Sequence, residues 1–224
     1  MSFLPKMKFF LIPSFLFLFL GLALPRTTQA QEEDLRYQVV KVQGKPMVYR
    51  DENDETTRLR KGQTVDDGDR ITTDSQSEVV LRLKGRAYVE IPPNSKLHIT
   101  RLRIGDNKRL QSRINLISGR VLTQIDPGPP VSFEVTAGKL LCRAHGTLFD
   151  VTRKKEEVKL TAFEGSVVAT SQGVVEMAKA RQIMKYDHGR FRYKHYLKTE
   201  DEGRLEEWKG LLAEIREKPP QGPR

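Results

Sequence analysis

Apolar and polar residues alternate along most of the chain between Tyr37 and Tyr196, and turn residues cut the alternation at short intervals. In Ser77-Glu-Val-Val-Leu-Arg-Leu83, Val79, Leu81 and Leu83 share one face while Glu78, Arg82 and Lys84 share the other, which is the period of a half-buried strand. Lys84-Gly85 turns the chain into Ala87-Tyr-Val-Glu-Ile91, where Ala87, Val89 and Ile91 face inward again, so the two runs predict a hairpin. Pro92-Pro-Asn-Ser95 interrupts the pattern, Leu97 and Ile99 resume it, and Gly105-Asp-Asn-Lys108 is expected to be a loop. Residues Ile114 to Ile125 predict a further strand pair turning at Ser118-Gly119. Phe133 and Val135, Phe149 and Val151, Val158 to Ala162, and Val167 continue the series. Short strands separated by regular turn signals predict an all-β sandwich, barrel or solenoid over 37–196 rather than an α/β fold.

The period changes at the C-terminal end. Leu205, Trp208, Leu211, Leu212 and Ile215 recur at helical spacing, and Thr199-Glu-Asp-Glu202 fits a capping box, so 199–218 is expected to form one amphipathic helix. Pro219-Pro220 stops it and leaves 219–224 as a disordered tail. The apolar stripe is expected to pack on the sheet or cover its edge, the alternative being a helix that docks a partner.

At the other end, Lys6 and Lys8 precede a nearly unbroken apolar run from Phe9 to Leu24, and small residues lead to Ala30. This is the pattern of an export signal over 1–30, with cleavage expected near Ala30. A spanning helix needs about 20 apolar residues, and this run is shorter and broken by Pro13, Ser14 and Gly21. The protein is therefore expected to be exported, in the periplasm or another extracytoplasmic space.

Loss of Lys6, Lys8 and Arg26 from 39 basic side chains, against 29 acidic ones, leaves a mature net charge of about +7. Such a balance favours anionic glycans and lipid headgroups, with membrane-surface contact among the options, and the exported compartment argues against nucleic acid. The single cysteine forbids an intrachain disulfide, so a core must carry the fold.

Candidate catalytic chemistry is sparse. In Cys142-Arg-Ala-His145 the strand period puts Cys142 and Ala144 on one face and His145 on the other, which separates the thiol from the imidazole. His98, His145, His188 and His195 show no metal-ligand spacing, and no Gly-x-Ser-x-Gly elbow occurs. Asp66-Asp67-Gly68-Asp69 suits a turn, and neither it nor Asp51 to Glu55 has the full ligand pattern of a calcium loop. The expectation is no enzyme, with no catalytic, metal or cofactor residues. The best binding chemistry lies in His188-Gly-Arg-Phe-Arg-Tyr-Lys-His-Tyr196, where strict alternation would line up Arg190, Arg192 and Lys194 as a cationic row for an anionic ligand. The plainer alternative is a charged edge strand that resists aggregation.

Several stretches resemble the FecR domain family in order and spacing: Leu59 to Thr73 with its Gly68-Asp-Arg-Ile-Thr-Thr73 segment, Ile91-Pro-Pro-Asn-Ser95, Leu116-Ile-Ser-Gly-Arg-Val121, Phe133-Glu-Val-Thr136, Gly146-Thr-Leu-Phe-Asp-Val151 and Phe163-Glu-Gly-Ser-Val167. The resemblance runs from about Val39 to Lys185. It implies an extracytoplasmic, non-catalytic module, here a solenoid-like or sandwich-like antiparallel β domain with one C-terminal amphipathic helix, in which Gly68 to Thr73 is a structural turn. Regulators of this family resemble signal relays with a cytoplasmic sigma-controlling arm. Only eight residues precede the apolar run, so that arm is not expected, nor is the small α/β subdomain that can follow the module. The combined reading is a cell-envelope binding or scaffold module that recognises anionic glycan or an envelope protein. The alternative is a sensory component that relays a signal through a separate membrane protein.

Overall fold

The computed structural model describes residues 35–105, 109–128 and 131–217, with the side chains of Tyr193 and Lys194 excepted. The export signal read at 1–30 and the tail at 219–224 lie outside the described residues, as do 106–108 of the expected loop. Among those described, the strands in chain order are β1 (Tyr37–Gln43), β2 (Met47–Arg50), β3 (Glu55–Arg58), β4 (Thr64–Val65), β5 (Arg70–Thr72), β6 (Glu78–Leu83), β7 (Ala87–Ile91), β8 (Lys96–Ile104) and β9 (Leu110–Ile125). Then come β10 (Val131–Ala137), β11 (Leu140–Ala144), β12 (Leu148–Lys154), β13 (Glu157–Glu164), β14 (Ser166–Ser171), β15 (Val174–Lys179), β16 (Gln182–Asp187), β17 (Arg190–Tyr196) and the helix α1 (Thr199–Glu217).

Two sheets form, joined through one strand. The first has the order β4-β1-β6-β7-β9-β12-β13-β16-β17. The second has the order β3-β2-β5-β8-β9-β10-β11-β14-β15. Pairing is antiparallel throughout except between β9 and β10. The sheets stack face to face, because one core draws on the inward residues of both: Val39, Leu81, Val89 and Leu160 from the first, Ile71, Leu97, Ile114 and Phe133 from the second. The period-2 pattern thus does what it predicts. It supplies each sheet with a continuous apolar face, and each such side chain contributes about 2 kcal/mol on burial.

The strand pair expected around Ser118-Gly119 is instead one strand. β9 pairs with β8 up to Ser118 in the second sheet, then with β12 from Gly119 onward in the first. Gly119 makes the passage possible, with φ at 88° and no room for a side chain: a Cβ there would stand 2.5 Å from the Asn94 carbonyl oxygen. The N–H of the next residue, Arg120, donates to Ser95 Oγ at 3.1 Å. Gly44, where the chain leaves the first sheet after β1, repeats the device. Its φ is 71°, a Cβ would meet Gln76 O at 2.5 Å, and the N–H of Lys45 donates to Ser77 Oγ at 2.8 Å.

Helix α1 lies on the outer face of the first sheet, where Leu205, Trp208, Leu212 and Ile215 pack with Val40, Val80, Tyr88, Leu122, Leu148 and Phe163 in a second apolar cluster. Its start differs from the expected capping box by one residue. Glu202 N donates to Lys198 O, and Asp201, not Glu202, reaches back to accept from Lys198 N at 3.2 Å. Glu202 is drawn away into an ion pair with Arg181. Lys209 meets Glu164 at 3.2 Å and Arg216 meets Asp126 at 2.6 Å, so charge pairs flank the apolar seam.

Candidate functional site

The stretch around the single cysteine is structural. Cys142 sits in the core opposite Val135 and Ala169, and burial pushes its thiol up to about 12, away from nucleophilic chemistry. His145 is exposed at the end of β11 and donates from Nδ1 to the carbonyl oxygen of Val131 at 2.8 Å.

The Gly68 to Thr73 segment is equally occupied with holding the fold. Asp69 is buried, and its Oδ2 accepts from Arg50 at 2.8 Å and from the N–H of Asp66 at 2.9 Å. Thr73 Oγ1 donates to Pro92 O at 2.7 Å and accepts from Ser95 N at 2.9 Å. Both side chains are thus tied to neighbouring turns of the fold, as a structural turn requires. Among the described residues, no group of three His, Cys, Asp or Glu is placed to hold a metal ion.

The cationic row on β17 is interrupted. A bulge sets Lys185 opposite Tyr193 and Tyr186 opposite Phe191, so Arg192 is the extra residue and strict alternation is lost there. Arg190 stands opposite Asp187, whereas Lys194 stands opposite Met184, a core residue. By register, positions 190 and 194 therefore fall on opposite faces, and the Lys194 side chain lies outside the described residues. Arg192 Nε is 3.8 Å from Asp187, which also holds His188 Nδ1 at 2.6 Å.

Arg190 belongs to a different grouping. Four two-residue turns, at 138–139, 155–156, 172–173 and 188–189, close the hairpins β10–β11, β12–β13, β14–β15 and β16–β17 at one end of the sandwich. Tight hairpins need left-handed backbone, and Lys155, Gln172 and His188 adopt it with φ of 55°, 49° and 49°. Together the turns enclose a pocket of about 410 Å³ whose lining includes Lys139, Arg153, Lys155, His188 and Arg190, with Glu156 as the one acid. Among the described residues no carboxylate pairs with Lys139, Lys155 or Arg190. Arg153 is anchored, donating from Nη1 to Leu116 O at 3.1 Å and from Nε to Lys155 O at 3.3 Å. Below the cations lie Ala137, Val158 and Tyr186, all buried. The Tyr186 hydroxyl is tied to Ser171 Oγ at 2.5 Å and its ring meets Phe191 edge-on at 5.2 Å. Strand alternation pointed to Arg190 but not to Lys139, Arg153 or Lys155. Their signal in the sequence is the near-equal spacing of the four turns, which places them on one end of the fold.

With this geometry in place, the chain can be set beside known proteins. No curated protein matches it. Two crystal structures of a candidate anti-sigma factor from Parabacteroides distasonis ATCC 8503 align with it at TM-scores of 0.49 and 0.49, with 13% and 14% identity, over 61% and 60% of this chain. The chain spans 63% and 62% of the length of those structures, less than two thirds. The model of the FecR protein family matches residues 69–168, which run from the Asp69 turn through the β9 crossing into β14. Over residues 69–168 the chain is thus similar to the FecR domain.

Proposed function

We propose that this protein is an exported, non-catalytic binding or scaffold module of the cell envelope that recognises an anionic glycan or an envelope protein. The observation that carries the reading is the gathering of Lys139, Arg153, Lys155 and Arg190 at one end of a rigid sandwich, with no carboxylate among the described residues pairing Lys139, Lys155 or Arg190. Short turns on a packed scaffold fix the backbone that carries these cations, so meeting an anion orders side chains but no loop. The buried thiol of Cys142 and the fold-holding bonds of Asp69 and Thr73 support the non-catalytic reading of these two stretches.

The test is co-sedimentation of the full chain with isolated peptidoglycan sacculi across a salt series, beside a control protein of equal charge. Retention above the control that falls with salt supports glycan recognition. Retention equal to the control removes the glycan reading and leaves a protein partner, to be sought by crosslinking in the envelope. The FecR domain favours a second reading in which that partner is a regulatory membrane protein and this chain its sensory component. Crosslinks to a membrane-spanning regulator would select it.

A further inference from the structure

We infer that the turn-end pocket binds an anionic saccharide, a sugar-sized ligand carrying one phosphate or carboxylate. The inference deepens the envelope-binding reading and rests on it for its biological setting. The rim and the floor of the pocket ask for different chemistry, and one ligand class answers both. At the rim, Lys139, Lys155 and Arg190 offer positive charge, and the anchored guanidinium of Arg153 keeps one nitrogen, Nη2, clear of its two backbone bonds. This suits a single tetrahedral or planar anion. The floor is apolar. Because Ser171 engages the Tyr186 hydroxyl, that residue turns no polar group into the pocket, and the buried Val158 and Ala137 close the bottom beside it. Such a bottom offers no hydrogen bond to a free inorganic ion, and the space above it leaves room for the C–H groups of a pyranose. Gln172 and Glu156 at the same mouth supply an amide and a carboxylate for ring hydroxyls. The acid also works against densely charged polyanions. Enclosure within about 410 Å³ fits a small ligand or chain end rather than an extended nucleic-acid backbone.

Isothermal titration of the full chain, kept soluble in mild non-ionic detergent, tests this with glucose 6-phosphate, glucuronate, glucose and inorganic phosphate at low and moderate salt. Glucose 6-phosphate or glucuronate is expected to bind, with glucose silent and inorganic phosphate at least about tenfold weaker than the better sugar. The stronger of the two charged sugars identifies the phosphate or the carboxylate source. Lys139→Gln/Lys155→Gln, both on exposed turns, should weaken the sugar by about tenfold or more, while Lys61→Gln/Lys96→Gln, equally exposed and of equal charge change, should stay within about twofold of the parent. Urea midpoints for both double variants confirm that they fold. Phosphate binding as tightly as the sugar acid, or a folded Lys139→Gln/Lys155→Gln variant with undiminished affinity, overturns the inference. Pelleting the same variants with sacculi separates the two levels: sugar binding without pelleting fails the envelope reading and leaves the pocket standing, and pelleting without sugar binding does the reverse.

Discussion

The phenol of Tyr37 on β1 meets the hydroxyl of Ser112 on β9 at 2.6 Å, fully buried and between the two sheets. Burial holds the phenol well above its ordinary pKa, so the pair is neutral and its hydrogen bond is the reason two polar groups can sit in the core. Tyr186 and Ser171 repeat the relationship, again with tyrosine from the first sheet and serine from the second. Tyr37→Phe strands the serine hydroxyl and should cost about 1–2 kcal/mol in urea unfolding. Ser112→Ala on that background should recover part of the loss, and a double-mutant cycle with no coupling would show that the bond contributes nothing.

Replacing Gly119 by Ala combines left-handed backbone with a side chain driven to 2.5 Å from Asn94 O. We expect a loss of about 3 kcal/mol or more. Gly62 has nearly the same φ, 89°, yet a Cβ added there would meet nothing within 4 Å, so Gly62→Ala should cost only about 1 kcal/mol. Equal losses at the two sites, read from urea midpoints, would assign the whole effect to backbone conformation and none to the sheet crossing.

Glu90 on β7 lies among Lys41, Glu78, Arg120 and Asp150 on the outer face of the first sheet. Burial, helped by the negative charges of Glu78 and Asp150 and opposed by Arg120 and Lys41, raises its carboxyl from 4.5 to about 7. The folded protein thus keeps a proton that the unfolded chain gives up between those values. Stability from this group should fall as pH rises through that window, by about 3 kcal/mol in total, and level off above it. Glu90→Gln should remove that slope. Parallel stability curves for the two proteins from pH 4.5 to about 7.5 would rule the effect out.

Trp208 anchors α1 on the first sheet while its indole Nε1 has no hydrogen-bond partner among the described residues. The ring's apolar surface, not its N–H, holds the helix. Trp208→Ala should therefore cost about 3–5 kcal/mol and expose α1 to proteolysis, whereas Trp208→Phe should cost less than about 1.5 kcal/mol. A phenylalanine variant as unstable as the alanine one would point to a polar role for the indole.

How far the fold could be read in advance depends on the range of the forces that shape each part. Alternation in β6 and β7, the Lys84-Gly85 turn and the α1 stripe are local, and the residues that follow them sit as their period requires. The passage of β9 at Gly119 was hidden because a turn and a sheet crossing both call for glycine, and the choice is made by Asn94 and Ser95. The bulge at Arg192 depends on the register of β16, and the capping of α1 by Asp201 depends on Arg181 competing for Glu202. The pocket was the least legible feature, because its cations come from separate turns that meet only when both sheets are stacked.

The double membership of β9 also governs the order in which the protein can fold. Before it is in place, the strands that precede it form two separate ribbons, β4-β1-β6-β7 and β3-β2-β5-β8, each ending in an open edge that waits for β9. The strands that follow it attach through the same residues, β10 to its first half and β12 to its second. A chain emerging from its N-terminus must therefore keep two unpaired edges unaggregated until Ile125 has appeared, and only then can both layers close together. Folding of this kind is expected to be slow and to pass through such half-paired ribbons, with the rate set by how soon one long strand finds four partners.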